Sequence, residues 1–403
     1  MRPFTHTIPF QDALRIVRES ARPIGRIETV PLANADGRIA AADVVAPAPV
    51  PPFARAAMDG YAVRATDIAR ASAASPVPLV CVDRVLTGEV PARPVSAGQC
   101  IEIATGAPVP PGADAVVMVE QTAREGDTIS FRAAARDGQN ISRRGSDLVE
   151  GATVVASGSW LTPARVGALA ATGATTASVF ARPRVALLST GNEVVEPGRP
   201  LGPGQIYDIN RATLAAVVHR HGGVATSLPI AGDDLESLQT ALDMAASHDV
   251  IVCSGGSSVG ERDLMLDAIR ARGQVLFHGI AVKPGKPTAF GHAGNTPIFS
   301  MPGSPTSCLS NAYLLLVPFL RLVACLPPWE PKQVEAPLAR TIAANADRHQ
   351  FYTVRIEDGR AEPAFKASGD ITSMAGADGY IEIPVSTPTI EAGTTVTVNL
   401  FGW

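Results

Sequence analysis

The residues of this 403-residue chain whose types and spacing could do chemistry fall in four short stretches rich in glycine, hydroxyls and charge. The first, Asp249 to Asp263, reads DVIVCSGGSSVGERD, an apolar run that empties into Gly255, Gly256 and three serines and then into a block of charge. Glycines let a backbone approach a ligand closely, and serines add hydroxyl donors. The amides of such a loop and of the helix behind it favour a phosphate or another oxyanion. The competing reading is a plain strand-to-helix turn with Asp263 as cap. RVALLSTGNEV runs a second apolar segment into Ser189, Thr190, Gly191, Asn192 and Glu193. AVKPGKPTAFG carries Lys283 and Lys286 across a Pro-Gly turn, so that both ammonium groups can converge on one anion. IFSMPGSPTS ends in a rigid turn shaped by Pro302 and Pro305, with hydroxyls at Ser304, Thr306 and Ser307. GKPT is not a P-loop, which needs a second glycine upstream at fixed spacing and Ser or Thr directly after the lysine. Taken together the four stretches describe a site for an anionic, phosphate-bearing ligand and a hard divalent cation.

A rival reading rests on Gly256-Ser257-Ser258-Val259-Gly260, which matches GxSxG, the nucleophile elbow of the α/β-hydrolases. Ser258 would be the nucleophile, the HGG at 221–223 the oxyanion hole, and His278 or His292 the base. Its context fits poorly, because HGG here ends a helix and the helix expected behind the elbow is delayed by ERD.

The elements that must position these loops follow from periodicity. Apolar strands 184–189, 224–230, 249–254 and 297–301 alternate with helix-length segments. One, 211–221, presents Leu214, Val217, Val218 and His221; another, 234–247, presents Leu235, Leu238 and Leu242, with Asp233 as cap and Glu236 at the capping-box position. The helix after Asp263 presents Leu264, Leu266 and Ile269. This alternation predicts a parallel sheet covered on both faces, which binds ligands beyond the carboxyl ends of its strands. Upstream, Pro9 starts a helix with Phe10, Leu14 and Val17 on one face. PAPVPP (47–52) is a stiff connector. Short β-branched runs between 57 and 139 predict a small β-rich domain. A helix at 162–173 has Thr162 as cap, Pro163 at its first turn and Val166, Leu169 and Ala170 facing inward. Beyond 330, YTVRIE, YIEIP and TTVTVNL predict a β domain.

A net charge of −4 with 18 % charged residues gives no basic surface for nucleic acid or anionic membrane. Cys81, Cys100, Cys253, Cys308 and Cys325 form no CxxC pair, so neither a zinc site nor a disulfide framework is indicated. The N-terminus has no apolar core of a signal peptide. The apolar segment 312–327 is interrupted by Pro318 and Arg321 and falls short of the ~20 residues of a membrane span, so it predicts a buried helix. A cytoplasmic protein is expected.

STGNE, IYDINR (206–211), SGGSSVGERD, KPGKPTAFG and MPGSPTS, in this order, resemble the MoeA family, the molybdopterin molybdenumtransferases, to which the E domain of gephyrin is also similar. AMDGYAV (57–63), IATGAPVPPGADAVVMVEQ (103–121), RRGSDL (143–148) and SGDITSMAGADGYIEIP extend the resemblance over essentially the whole chain. It implies a multidomain α/β plus β fold. The N-terminal domain would take 1–54 and 140–178, an inserted β-rich domain 55–139, a central molybdopterin-binding α/β domain 179–326, and a C-terminal β-barrel-like domain 327–403.

The activity implied is the insertion of molybdate into the dithiolene of adenylylated molybdopterin, with Mg²⁺-dependent cleavage of the adenylyl group and release of AMP. Carried over by motif, Asp59, Thr105, Asp147, Glu193, Asp233 and Asp263 form the polar active-site set, with Glu193 and Asp263 as magnesium ligands. Lys283, Lys286 and Ser307 would hold molybdate and phosphate, with Pro302 and Pro305 shaping that turn. Gly255, Gly256 and Ser258 would give access to the pterin or phosphates. Asp234 competes with Asp233 for its role. The resemblance further implies a homodimer, in which the second, β-rich domain of one subunit faces the α/β domain of the other, and as partners the molybdopterin adenylyltransferase and molybdoenzyme chaperones. The chain departs from the family pattern at Ser257, commonly Val, and at Ser304, commonly Asn. A non-catalytic pterin-binding scaffold is the alternative.

Overall fold

The computed structural model describes residues 7–255 and 264–402, so Gly256, Ser258 and Asp263 lie outside the described residues, as does the whole GxSxG segment. The chain forms two compact units. One comprises the residues up to Glu28, Gly37–Ile39 and everything from Phe180; the other comprises Thr29–Asp36 and Ala40–Val179.

The larger unit opens with helix Phe10–Ser20 (α1), which buries Phe10, Ala13 and Val17, with Leu14 only partly covered. The smaller unit contains a six-stranded sheet. In chain order its strands are Gly60–Val63 (β1), Val77–Val85 (β2), Gln99–Ile103 (β3), Ala115–Met118 (β4), Thr122–Glu125 (β5) and Thr128–Phe131 (β6). Across the sheet they run β4-β1-β3-β2-β6-β5, with β2 and β3 parallel. Helix Pro163–Ala171 (α2) follows, with the Thr162 hydroxyl accepting from the Arg165 amide at its N-cap as its sequence predicts. Leu169 is buried there but Ala170 is exposed, against expectation, because the face that packs is narrow on so short a helix.

The larger unit then builds its α/β core. Arg184–Ser189 (β7), helix Ile209–Arg220 (α3), Val224–Ser227 (β8), helix Leu235–Ala245 (α4), Val250–Ser254 (β9) and helix Leu264–Arg272 (α5) succeed one another. Strands Gly273–His278 (β10), Ala289–Ala293 (β11) and Thr296–Met301 (β12) complete the sheet, in the order β8-β7-β9-β12-β11-β10. The first four strands are parallel. Strands β11 and β10, which the sequence reading did not predict, extend this parallel sheet by antiparallel pairings, β11 against β12 and β10 against β11. The reason is local: Ala293 pairs directly with Thr296, and Gly294 at φ +62° opens the two-residue turn that a tight hairpin needs. Strand β8 also stops at Ser227 rather than running on through Leu228, Pro229 and Ile230.

Side chains along β7 and β9 alternate between two cores. Val185, Leu187, Val250 and Val252 face α1, α3 and the long C-terminal helical run, whereas Ala186, Leu188, Ile251 and Cys253 face α4 and α5. Burial on both faces is why these strands read as unbroken apolar runs. The helical run consists of Pro305–Asn311 (α6), a π turn at Ala312–Leu316 and Val317–Val323 (α7). It is long and apolar enough by composition to cross a membrane, but 72 % of it is buried inside the protein, as expected of a core helix.

The C-terminal strands Gln333–Pro337 (β13), His349–Glu357 (β14), Arg360–Pro363 (β15), Gly379–Ile383 (β16) and Thr395–Leu400 (β17) form a sheet. The short strand Val282–Lys283 joins it, pairing in parallel with His349–Gln350. The sheet thereby anchors the lysine-bearing turn of the α/β core.

Candidate functional site

The carboxyl ends of β7, β9 and β12 lie side by side, and hydrogen bonds stitch the loops that leave them. The Thr190 amide donates to the Ser254 carbonyl at 3.0 Å, the Gly255 amide to the Met301 carbonyl at 3.3 Å, and the Asn210 side-chain amide to the Gly303 carbonyl at 2.8 Å. Gly255 sits at φ +103°, and a Cβ there would come within 2.3 Å of the Thr190 carbonyl oxygen. Only glycine lets these two loops touch. This contact is why the buried strand β9 empties into glycine at Gly255.

Two hollows flank the seam. One, of about 720 Å³, is lined by Glu193, Gly255, Lys283, Pro284, Gly285, Lys286, Pro302, Gly303, Ser304 and Ser307, together with Arg348, Lys366 and Ser368. The other, of about 650 Å³, shares Glu193, Gly255, Gly303 and Ser304 and adds Pro305 and an apolar wall of Val194, Leu201, Ile206, Tyr207 and Ile209. At its base lie Thr190 and Asn210, whose Oγ1 and Oδ1 atoms are buried without a hydrogen-bond partner among the described residues.

The structure therefore brings together Glu193, Gly255, Lys283, Lys286, Pro302, Pro305 and Ser307. Glu193 is exposed at the junction of both hollows, and among the described residues no hydrogen bond or ion pair engages its carboxylate. Ser307 is 4 % exposed, in the first turns of α6. The lysine turn is braced from beneath: the fully buried Asn311 donates to the Gly285 carbonyl at 2.8 Å and to the Thr288 hydroxyl. Arg348 and Lys366 come from the C-terminal sheet region and were not singled out by the sequence. Nothing in their local pattern marks them, and only tertiary pairing delivers them. Thr306 ties the same region to α6, its amide donating to the Ser368 carbonyl at 3.0 Å and its hydroxyl to the Asp370 carbonyl at 2.8 Å.

Asp233 corrects the expectation of a helix cap. The cap of α4 is Asp234, whose carboxylate accepts from the Ser237 amide at 2.8 Å, and whose pKa those Ser237 contacts hold below the usual carboxylate range. The helix starts one residue later than expected, which frees Asp233 to accept from the Asn192 amide at 3.2 Å and so to hold the Glu193 loop. Asp233 lines neither hollow.

In the smaller unit Asp59 and Thr105 meet. The Thr105 amide and hydroxyl donate to one Asp59 oxygen at 2.6 and 2.8 Å, and these bonds hold the Asp59 carboxylate below its ordinary pKa. Asp59 also lines a hollow of about 300 Å³ with Tyr61, Arg84 and Glu102. Asp147 is exposed, its backbone amide bonded to the Val50 carbonyl, and it does not line that hollow.

Among the described residues no group of three or more His, Cys, Asp or Glu gathers as a metal cage. A magnesium ion commonly takes only one or two carboxylates, with the remaining ligands from water and substrate phosphates. Glu193, unengaged and at the mouth of a cationic hollow, fits that pattern of donor.

A sheet with a glycine-lined, cationic cleft beyond its parallel strand ends is the architecture of a nucleotide- or phosphate-handling α/β enzyme. The chain matches the MoeA N-terminal region (domain I and II) over residues 8–173, a "Probable molybdopterin binding domain" over 186–322 and the MoeA C-terminal region (domain IV) over 335–401. It is 37 % identical over 400 residues to "Molybdopterin molybdenumtransferase 2" of Mycobacterium tuberculosis, covering 96 % of this chain and 98 % of that one. It is 34 % identical to the molybdopterin molybdenumtransferase of Haemophilus influenzae, covering 93 % and 94 %. A crystal structure of the molybdopterin biosynthesis MoeA protein from Pyrococcus horikosii superposes with a TM-score of 0.85 at 40 % identity, covering 99 % of this chain and all of that one. The chain belongs to the MoeA family and is an enzyme, a transferase of molybdenum cofactor biosynthesis.

Proposed function

We propose that this chain inserts molybdate into the dithiolene of adenylylated molybdopterin and cleaves the adenylyl group in a magnesium-dependent step that releases AMP. The observation that carries this reading is the hollow of about 720 Å³, in which Lys283, Lys286, Arg348 and Lys366 face a single described carboxylate, Glu193. Cations on three separate elements suit a tetrahedral dianion, which they can approach from several sides. The Ser304 and Ser307 hydroxyls add donors for its oxygens. The neighbouring hollow, with its apolar wall and the unpartnered Thr190 and Asn210, suits a flat ring system carrying polar edges. Gly255 lies on the border of both, where a pyrophosphate would bridge them.

Magnesium, when bound, would counter pyrophosphate charge and polarise the scissile bond. Glu193, with Asp263 as the family pattern implies, would hold it. Lys283 and Lys286 would neutralise charge that develops on the departing AMP phosphate. The enzyme would work as a cytoplasmic homodimer, with Asp59, Thr105 and Asp147 as a further polar set.

Purified protein incubated with adenylylated molybdopterin, molybdate and Mg²⁺ is expected to release AMP and yield cofactor that activates a molybdenum-free reductase. Tight pterin binding without AMP would replace this reading by that of a scaffold. Covalent labelling of Ser258 by a fluorophosphonate would replace it by a hydrolase.

A further inference from the structure

Cys81 and Cys100 are far apart in sequence, but in the smaller unit they stand directly opposite each other on the parallel strands β2 and β3. Directly paired residues on neighbouring strands project to the same face of a sheet. Both side chains belong to the same core, Cys100 fully buried and Cys81 partly covered against it. Burial, with the Cys81 thiol alongside, pushes the Cys100 thiol well up. Neighbouring strands run ~4.8 Å apart, inside the ~4.4–6.8 Å between Cα atoms that a disulfide can span. The strand pair is interrupted just beyond them: register shifts between Cys81 and Asp83, and the Cys81 thiol donates to the Asp83 carbonyl at 3.4 Å. A bulge of this kind gives the Cys81 backbone room to adjust. By contrast Cys253 and Cys308 are buried and belong to two different cores, and Cys325 is not paired with any of the other four.

We propose that Cys81 and Cys100 are a reversible dithiol–disulfide modification site, oxidised by peroxide and reduced by small thiols. The partly exposed Cys81 reacts first. Its sulfur attacks one peroxide oxygen, giving a sulfenic acid and one water. The Cys100 sulfur then displaces the hydroxyl from Cys81, forming the S–S bond, and the Cys100 proton leaves with that hydroxyl as a second water. Two electrons pass from the thiols to the peroxide. The raised pKa of Cys100 makes the second step the slow one. A disulfide formed there is reopened by dithiothreitol through thiol–disulfide exchange. Strand β3 runs on through Glu102 towards Thr105, the partner of Asp59, so this modification lies on the strand that leads to the polar set of the smaller unit.

The test uses the full chain, reduced, desalted and exposed to hydrogen peroxide, then digested with trypsin without reductant. Cys81 lies on the peptide ending at Arg84 and Cys100 on the one beginning at Val85. The expected product is these two peptides joined, lighter by two hydrogens and separated again by dithiothreitol. In Cys100→Ala a sulfenic acid trapped by dimedone should instead persist at Cys81. If that variant fails to fold, the wild-type digest decides alone. Oxidation of Cys81 to sulfinic acid with Cys100 still a free thiol, or cross-linking between two chains, would overturn the proposal.

Discussion

Asn311 offers the sharpest test of how the site is held. It is fully buried in α6, and its side-chain amide reaches under the lysine turn to the Gly285 carbonyl at 2.8 Å and the Thr288 hydroxyl. Asn311→Ala removes both bonds, worth about 1 kcal/mol each. The small hole left behind adds about 1 kcal/mol. Against this, alanine is the better helix former by about 0.6 kcal/mol. The Gly285 carbonyl is not orphaned, because the Thr288 hydroxyl still donates to it at 3.0 Å. The net loss is about 2 kcal/mol, a fall of roughly 4–8 °C in the melting temperature of a unit of this size. The turn loses its brace as well as its stability, so molybdate affinity should drop about tenfold, equivalent to about 1.4 kcal/mol. Calorimetric melting and isothermal titration with molybdate check the two effects separately. Asn311→Asp should do worse than alanine, since it sets a buried carboxylate against the Gly285 carbonyl. A melting temperature within a degree of wild type together with unchanged molybdate binding would show that the lysine turn does not depend on this strut.

Other changes test other parts of the structure. Glu193→Gln should fold normally, since that side chain is exposed and unengaged among the described residues, but should slow magnesium-dependent AMP release by roughly tenfold or more; unaltered turnover would remove Glu193 from the metal's donors. For Asp249, burial raises the pKa, but the paired bonds from Arg26, the Arg184 amide and both guanidinium charges outweigh it and leave it lowered. Its stabilising effect is therefore complete above the unfolded value of about 3.9 and lost as pH falls through the lower folded value. The stability gap between wild type and Asp249→Asn, read by urea unfolding, should close at the acid end and not at neutral pH. Burial, with the charges of Arg321 and Arg220, pushes the His221 imidazole down to about 4. Below an ordinary value of about 6.5 the unfolded chain gains a proton that the folded chain refuses, so acidification towards pH 4 should remove up to about 3 kcal/mol. His221→Leu should flatten that slope in a series of melting temperatures against pH, and an unchanged slope would assign the acid sensitivity elsewhere.

Much of this was legible because strand and helix leave different periodic traces. The stretches 185–188 and 250–253 are apolar and buried at every residue, which marks strands covered on both faces, and the loops at their carboxyl ends could be named from glycine and hydroxyl content. The hairpin of β11 and β12 was harder to see: its strands mix glycine, histidine and proline, and the direction of a strand is not written in its composition. Asp233 and Asp234 differ by one position, less than cap patterns resolve. Arg348, Lys366 and the pairing of Cys81 with Cys100 share a deeper reason for escaping notice. Each depends on which strand lies beside which, and no local window of sequence carries that information.

The electrostatics of the cleft argue that its charge is there for a ligand. Elsewhere in the larger unit several arginines are matched, Arg26 and Arg184 with Asp249, Arg272 with Asp243, Arg340 with Glu362 and Arg355 with Glu357, while Arg22 and Arg321 donate to backbone carbonyls. In the cleft, Lys283, Arg348 and Lys366 take part in no ion pair among the described residues, and Lys366 is held instead by the Thr372 hydroxyl at 3.2 Å. Unmatched cations gathered in one hollow repel one another, and the fold keeps them together by fastening each to a different element: the turn on Asn311, the turn that leads into β14, and the loop tied to Thr306. That repulsion is relieved when a dianion enters, so the fold supplies in advance the reorganisation that binding would otherwise require.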